Sequence, residues 1–181
     1  MRFHIDTEHL ILREIRPADA EAFFRMDSNS EVHRYLGNNP VKTIEHIHQV
    51  IERLLQQYAD FGIARWAAIE KSTGDFIGWS GLKYIVDDKN SRNHFYDVGY
   101  RFHPDYWGKG YATESTVAAL KYGFETMQLS EIIGTCHRDN KASRRVLEKC
   151  GLHYIESFVS ELGLPCDWLS INKSEWVSLK K

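Results

Sequence analysis

Residues Tyr106–Glu114 read YWGKGYATE, with Gly108 and Gly110 on either side of Lys109 and a run of helix formers behind them. The stretch just before, YDVGYRFHP, has the character of a strand. A chain that leaves a strand through Gly-Lys-Gly and starts a helix at once presents unpaired N–H groups at the positive end of the helix dipole, and both favour an anion. Gly108 and Gly110 carry no Cβ to hold a ligand off the backbone. Ala112 is small for the same reason, and Lys109 adds a point charge. An ordinary tight strand-to-helix loop would show the same Gly-x-Gly-x-Ala pattern. It is not a Walker loop, because the wider glycine spacing and the Lys-Ser/Thr ending are missing. It also lacks the third glycine of a dinucleotide fingerprint.

The elements that must position this loop are legible in outline. HLILREIR near the start alternates as a strand, and Pro17 then opens a short helix, PADAEAFFRMDS, at a place where a missing N–H is tolerated. In TIEHIHQVIERLLQQYADFG the residues Ile44, Ile47, Ile51, Leu54, Leu55 and Tyr58 follow helical spacing, with Thr43 to cap the start and Gly62 to close the end. ARWAAIE and DFIGWSGLKYIV read as a hairpin around KSTGD. FYDVGYRF is the strand that feeds the glycine loop. A helix from about Ala112 to Met127 follows, then the strand EIIGTCH, then a helix from Asn140 to about Cys150 that Gly151 can terminate. Two final strands flank LGLPCD. The order predicts a mixed α/β (α+β) sheet in a single domain spanning residues 1–181.

Composition limits the classes of function. A chain of 181 residues is long enough for one sizeable core, and 43% hydrophobic with 27% charged residues is ordinary for a folded domain. A formal charge of −2 gives no electrostatic reason to expect a nucleic-acid partner. No apolar run is long enough to span a bilayer, and MRFHIDTEHLILREIR has no signal-peptide core, so neither a membrane partner nor export is expected. Cys136, Cys150 and Cys166 are odd in number and form no CxxC, which predicts unreactive thiols and a cytoplasmic location. Nine histidines show no HExxH array, and no metal is expected.

A second segment, DNKASRRVLEKCGL at Asp139–Leu152, gives the loop a context. Together with HPDYWGKGYATES it closely resembles the GNAT superfamily of N-acetyltransferases, which use acetyl-CoA. The family's pyrophosphate loop reads Gln/Arg-x-x-Gly-x-Gly/Ala, and Trp107, Gly110 and Ala112 take those places. Trp107 departs from the pattern by removing one polar side chain, but the backbone N–H groups remain. The resemblance therefore implies that Trp107, Gly108, Lys109, Gly110, Tyr111, Ala112 and Thr113 form the acetyl-CoA pyrophosphate site. Tryptophan at this place is similar to the branch containing the ribosomal-protein N-terminal acetyltransferases RimJ and RimL. TEHLILREIRPADAEAFF, TGDFIGWSGL and NKASRRVLEKCGL resemble the same branch.

The resemblance also implies roles. A bulged strand at Tyr100–His103 would turn its backbone to the pantetheine arm and the acetyl carbonyl, with Phe102 and His103 nearest. Asn140 would bond the pantetheine region, unless it serves only as a helix N-cap. The family's usual tyrosine position is Leu147 here, so Ser143 becomes the group to protonate or hydrogen-bond the leaving thiolate, or else a solvent-side helix serine. Arg144, Arg145 and Lys149 would meet the 3′-phosphate or form a solvated basic face. Asp97 is favoured as general base, with Glu114 or a water chain as competitors. Trp66, Trp79, Tyr84, Trp168 and Tyr35 are candidate walls of the acceptor cleft, or core aromatics. The implied reaction is direct acetyl transfer from acetyl-CoA to a primary amine in a ternary complex, with Cys136 as core and not nucleophile. The expected acceptor is a protein N-terminal α-amine. The alternatives are a small amine (polyamine, amino acid or aminoglycoside) and a non-catalytic acetyl-CoA-binding module, as monomer or homodimer.

Overall fold

The computed structural model describes residues 3–179, built on one eight-stranded sheet in the order β1-β2-β3-β4-β5-β6-β8-β7. β1 (His4–Asp6) and β2 (Leu10–Glu14) form a hairpin, followed across the sheet by β3 (Trp66–Glu70), β4 (Phe76–Ile85) and β5 (Phe95–Phe102). β6 (Glu131–His137), β7 (His153–Val159) and β8 (Pro165–Asn172) complete it. Every neighbouring pair is antiparallel except β5 with β6, which are parallel and joined by a helical crossover. The mixed α/β architecture in one sheet is the one the element order predicts.

Helices cover both faces. α1 (Ala20–Asp27) and α3 (Ile44–Phe61) bury Phe23, Met26, Ile47 and Ile51 against Ile15, Ala67, Ile69 and Phe76. α4 (Tyr111–Lys121) and α5 (Lys141–Lys149) lie over the other face, where Leu120 and Leu147 join Trp66, Leu82, Val98 and Leu169. Gly62 closes α3 in the left-handed conformation at φ 69°, its N–H on Tyr58 O at 2.9 Å. Thr43 precedes α3 as expected, but its side chain makes no cap bond.

The elements differ from the sequence reading in several places, and β1 (His4–Asp6) has no counterpart in it. α4 stops at Lys121 and continues as a π-turn, Tyr122–Thr126, instead of running unbroken to Met127. A Cβ on Gly123 would stand 2.6 Å from Ile132 Cδ1, so this widened turn sits closer to β6 than an ordinary residue permits. The last strand ends at Asn172, where the sequence reading continues it. There Asn172 Oδ1 accepts from Glu175 N at 3.0 Å and Glu175 accepts in return from Asn172 N at 2.8 Å, a capping box that starts α6 (Lys173–Ser178). The short helix α2 (Ser30–His33), capped by Asn29, is also absent from the sequence reading.

Glu114 in the first turn of α4 holds the β1–β2 turn in place. It accepts from Thr7 Oγ1 at 2.6 Å and His9 N at 2.7 Å, and meets His9 Nδ1 at 2.8 Å. Partial burial opposes its ionisation, but these hydrogen bonds outweigh that effect and hold the carboxyl below its usual range. A depressed carboxylate contributes stability above its unfolded pKa of about 4.3 and loses it as pH falls through the folded value. Glu114→Gln should therefore cost about 1–3 kcal/mol at pH 7. Urea unfolding should show the gap between variant and wild type closing as the pH approaches about 3.

Candidate active site

β5 and β6 are registered at only two positions, Asp97↔Ile133 and Val98↔Gly134. Beyond them β5 runs on through Gly99–Phe102 and β6 through Thr135–His137, with no pairing between the two. Each strand is held on its other side, β5 by β4 and β6 by β8, so the sheet opens along a wedge between two fixed edges. The expected bulge in β5 is not present: its register with β4 is continuous from Phe95 to Phe102. The irregularity lies on the partner strand, where Gly81 sits at φ 133° and a Cβ would stand 2.6 Å from the Trp66 ring. His103 N bonds Ile77 O at 3.0 Å, so its amide is committed to the β4 side. By the two-residue alternation of an antiparallel pair, the backbone groups on the β6 side belong to Val98, Tyr100 and Phe102. Val98 lies within the β6 register and Phe102 O accepts from the Trp107 indole, so Tyr100 and the Phe102 N–H are the ones that face the open wedge.

The glycine loop closes one end of the wedge. Gly110, at φ 86°, is the N-cap of α4, and no side chain caps the helix. The first bond into the helix runs from Glu114 N to Gly110 O at 3.0 Å, which leaves the earlier N–H groups without intrahelical partners. A Cβ on Gly108 or Gly110 would meet nothing within 4 Å, so both glycines border open space. Their positive φ values also favour glycine on conformational grounds. Trp107 holds the loop to the sheet, its indole N–H donating to Phe102 O at 2.8 Å at the end of β5. Lys109 lies over the Tyr106 ring, 4.8 Å from its centroid. The Tyr111 ring is buried, with its hydroxyl on Glu70 Oε1 at 2.5 Å, a bond that pushes the phenol up to about 12. Only the backbone of Tyr111 is left to meet a ligand, while Ala112 and Thr113 follow it in the first turn.

α5 begins beside the same opening. Asn140 caps it, its Oδ1 accepting from Ser143 N at 3.0 Å. Ser143 does not point into solvent. Tyr100 Oη donates to Ser143 O at 2.9 Å and lies 3.0 Å from Ser143 Oγ. Burial raises the Tyr100 phenol well above its ordinary range, so it stays protonated. The sequence reading uses Tyr100 only as strand backbone. Its side chain is a functional candidate that alternation could have exposed, since it shares a face with Val98 and Phe102.

Asp97 stands on the opposite face of β5, with Gly99 and Arg101, and pairs across to Lys83. It is 5% exposed and forms an ion pair with Arg65, whose guanidinium also bonds Asp97 O at 2.6 Å. Lys89 Nζ is 3.6 Å from Asp97 Oδ2, an oxygen that has no hydrogen bond. Gly99 makes the Arg65 pairing possible, because a Cβ there would stand 2.7 Å from Arg65 Nη2. Asp97 and Ser143 are thus not neighbours; they flank β5 from its two sides.

Residues 9–153 match the family model described as acetyltransferase (GNAT) domain. The chain belongs to the GNAT acetyltransferase family. It is 32% identical over 166 residues to the uncharacterized N-acetyltransferase YoaA of Bacillus subtilis (strain 168), covering 90% of this chain and 92% of that protein. The crystal structure of an acetyltransferase (GNAT family) from Bacillus anthracis matches with a TM-score of 0.77 at 28% identity, over 95% of this chain and 99% of that one. A spermidine N-acetyltransferase from Vibrio cholerae, in complex with CoA and spermine, shares the fold with a TM-score of 0.76 at 19% identity, over 93% of this chain and 98% of that one. The chain is accordingly an N-acetyltransferase of the GNAT type.

Within this GNAT fold several candidate residues turn out to be engaged elsewhere. Arg144 bonds Asp167 Oδ2 at 2.7 Å and Glu148 Oε1 at 2.8 Å, which leaves Arg145 and Lys149, both exposed, as the two of these three 3′-phosphate candidates that face solvent. Glu114 is committed to the β1–β2 turn. Trp66 is core, stacked on Phe3 at 4.4 Å. Tyr84 packs on Phe61 and Tyr96. Trp79 carries the Arg65 and Arg101 guanidinium groups on its ring, and Tyr35 packs on His137 at the end of β6. Burial raises the Cys136 thiol to about 11, which disfavours the thiolate a nucleophile needs.

Removing Arg65 would leave the buried Asp97 carboxylate with Lys89, 3.6 Å from Oδ2, as its remaining ion-pair partner among the described residues. Arg65→Ala should destabilise the fold by about 3–5 kcal/mol, and adding Asp97→Asn should recover part of that loss. Chemical denaturation of the single and double variants checks both.

Proposed function

We propose that the chain transfers the acetyl group of acetyl-CoA directly to the α-amine of a protein or peptide N-terminus, within a ternary complex. The observation that carries this reading is the wedge between β5 and β6, where unpaired strand edges meet the uncapped, glycine-lined start of α4. The amide-rich pantetheine arm can pair with an open strand edge as an added strand does, and a pyrophosphate suits the free N–H groups of α4. Trp107, at the place where the family pattern has Gln or Arg, supports the ribosomal-protein N-terminal branch, and its bond to Phe102 O keeps the loop in shape without the lost polar side chain.

The thioester supplies the acetyl group, and the chain positions the proton transfers around it. The attacking amine must be neutral, so its proton has to leave on the acceptor side. Asp97 faces that side and retains one unbonded carboxylate oxygen. Arg65 and Lys89 flank this carboxylate, whose unbonded oxygen is closed to solvent in the free chain, so it takes the proton only once the acceptor, or a water that enters with it, has reached that oxygen. As the C–N bond forms and the C–S bond breaks, the departing thiolate needs a proton. Ser143 Oγ, held by the Tyr100 hydroxyl at 3.0 Å, hydrogen-bonds the thiolate and relays to it a proton taken up in the same step from solvent water, so that the serine stays a neutral hydroxyl. Backbone N–H groups along β5 serve the developing oxyanion. Acid and base on opposite faces of β5 suit a direct attack, in which the amine enters from one face and the thiol leaves on the other.

Gly110→Asp should abolish acetyl-CoA binding by placing bulk and negative charge beside the pyrophosphate; calorimetric titration reading wild-type affinity would refute the loop assignment. Ser143→Ala should lower kcat by about 10²-fold, the scale of a general acid, with KM for acetyl-CoA little changed. Tyr100→Phe should act in the same direction more weakly. Steady-state rates of CoA release measure both, and a Ser143→Ala effect below about threefold would remove Ser143 from the proton path.

A further inference from the structure

The face of β5 that carries Asp97 holds more positive charge than its own acids neutralise. α1 and α3 cover the β2–β4 part of this face. The β5–β6 part lies beneath residues 86–94 and Tyr35, tied across by the Arg92–Glu156 ion pair and by Arg92 over Trp168. Four cationic side chains gather here, Arg65, Lys83, Lys89 and Arg101, against the buried carboxylates of Asp27 and Asp97 and the exposed one of Asp87. Asp27 takes Arg101 through both oxygens, at 2.8 and 2.9 Å. Asp97 takes Arg65 and lies 3.6 Å from Lys89. Lys83, the cross-strand partner of Asp97, forms no ion pair among the described residues. Asp97 and Asp87 act on it only through longer-range attraction, while burial, followed by Arg65, pushes its amine below the usual lysine range. A partly buried ammonium without a counter-ion is unfavourable, and an arriving anion relieves it.

We propose that the acceptor carries a carboxylate close to its amine, an N-terminal peptide with Asp or Glu in its first positions, and that Lys83 and Lys89 receive that carboxylate. The inference rests on the reading that the acceptor approaches from the Asp97 face. Lys89 Nζ bonds Thr135 Oγ1 at 2.9 Å, which puts its charge at the apex where β5 and β6 part. A carboxylate held at that apex leaves an amine a few bonds away free to extend along the wedge toward Asp97, whose unbonded Oδ2 is closed to solvent in the free chain. A polyamine has several ammonium groups and no carboxylate, so this surface repels it. Electrostatic matching of this kind sets partner choice more than raw affinity.

The test compares two peptides of equal length, one beginning Ser-Asp-Glu and one beginning Ser-Lys-Arg, with spermidine alongside. Each is titrated calorimetrically into the full chain saturated with CoA, and each is assayed for CoA release from acetyl-CoA. The acidic peptide should bind about tenfold tighter than the basic one, and Lys83→Glu should cut that ratio to about one or invert it. Transfer to both peptides with equal binding would overturn the charge inference and leave acetyl transfer standing. Acidic-selective binding without transfer would overturn peptide acetylation and support the charged subsite. Spermidine as the best acceptor, or a ratio unchanged in Lys83→Glu, would overturn the proposal. The wild-type peptide comparison stands even if the variant folds poorly.

Discussion

The site depends on two strands that stop pairing. β5 and β6 share a parallel register at two residues and then separate, each held on its far side by an antiparallel partner. Backbone N–H and C=O groups along such an opening need partners, since unpaired polar groups away from water are costly. On the proposed function these groups pair with a ligand that adds to the edge as a strand does. Gly110 and Asn140 then determine how α4 and α5 begin beside the opening, one uncapped and bordered by space, the other capped and turning Ser143 toward Tyr100.

The chemistry divides across the sheet for a simple geometric reason. Successive residues of β5 point to opposite faces, so Tyr100 reaches α5 while Asp97 and Arg101 meet Arg65 and Asp27. Neutral hydroxyls occupy one side and paired charges the other. Gly99, between them, lets the Arg65 guanidinium lie across the strand. A larger residue there would displace the partner that compensates the buried Asp97 carboxylate. The family comparison assigns the reaction type, and the charge distribution follows from the Arg65–Asp97 and Arg101–Asp27 pairings.

Much of this is legible in the sequence because the signals are local. Helical spacing and Gly62 define α3, and the glycine loop marks the start of α4. Leu147 at the usual tyrosine position directs attention to Ser143. What escapes is non-local or depends on competing bonds. Nothing local to Glu114 indicates that it holds Thr7 and His9, or that Asp97 is held by Arg65. The expectation that His103 offers its amide to the ligand fails because continuation of the β4 pairing consumes it. Trp66 has the composition of a pocket wall and the position of core. The capping box at Asn172 is readable from its Asn-x-x-Glu spacing, yet the apolar run before it favours a longer strand.

The most direct test of the wedge as the meeting place of both substrates is an initial-rate study of CoA release, with acetyl-CoA and an acidic N-terminal peptide both varied. Direct attack with both substrates bound predicts reciprocal plots that intersect. Parallel lines would mean that the acetyl group rests on the protein between two half-reactions. That outcome would contradict direct transfer with both substrates bound at the opening between β5 and β6, and the absence of any peptide-dependent release would contradict a peptide as the acceptor.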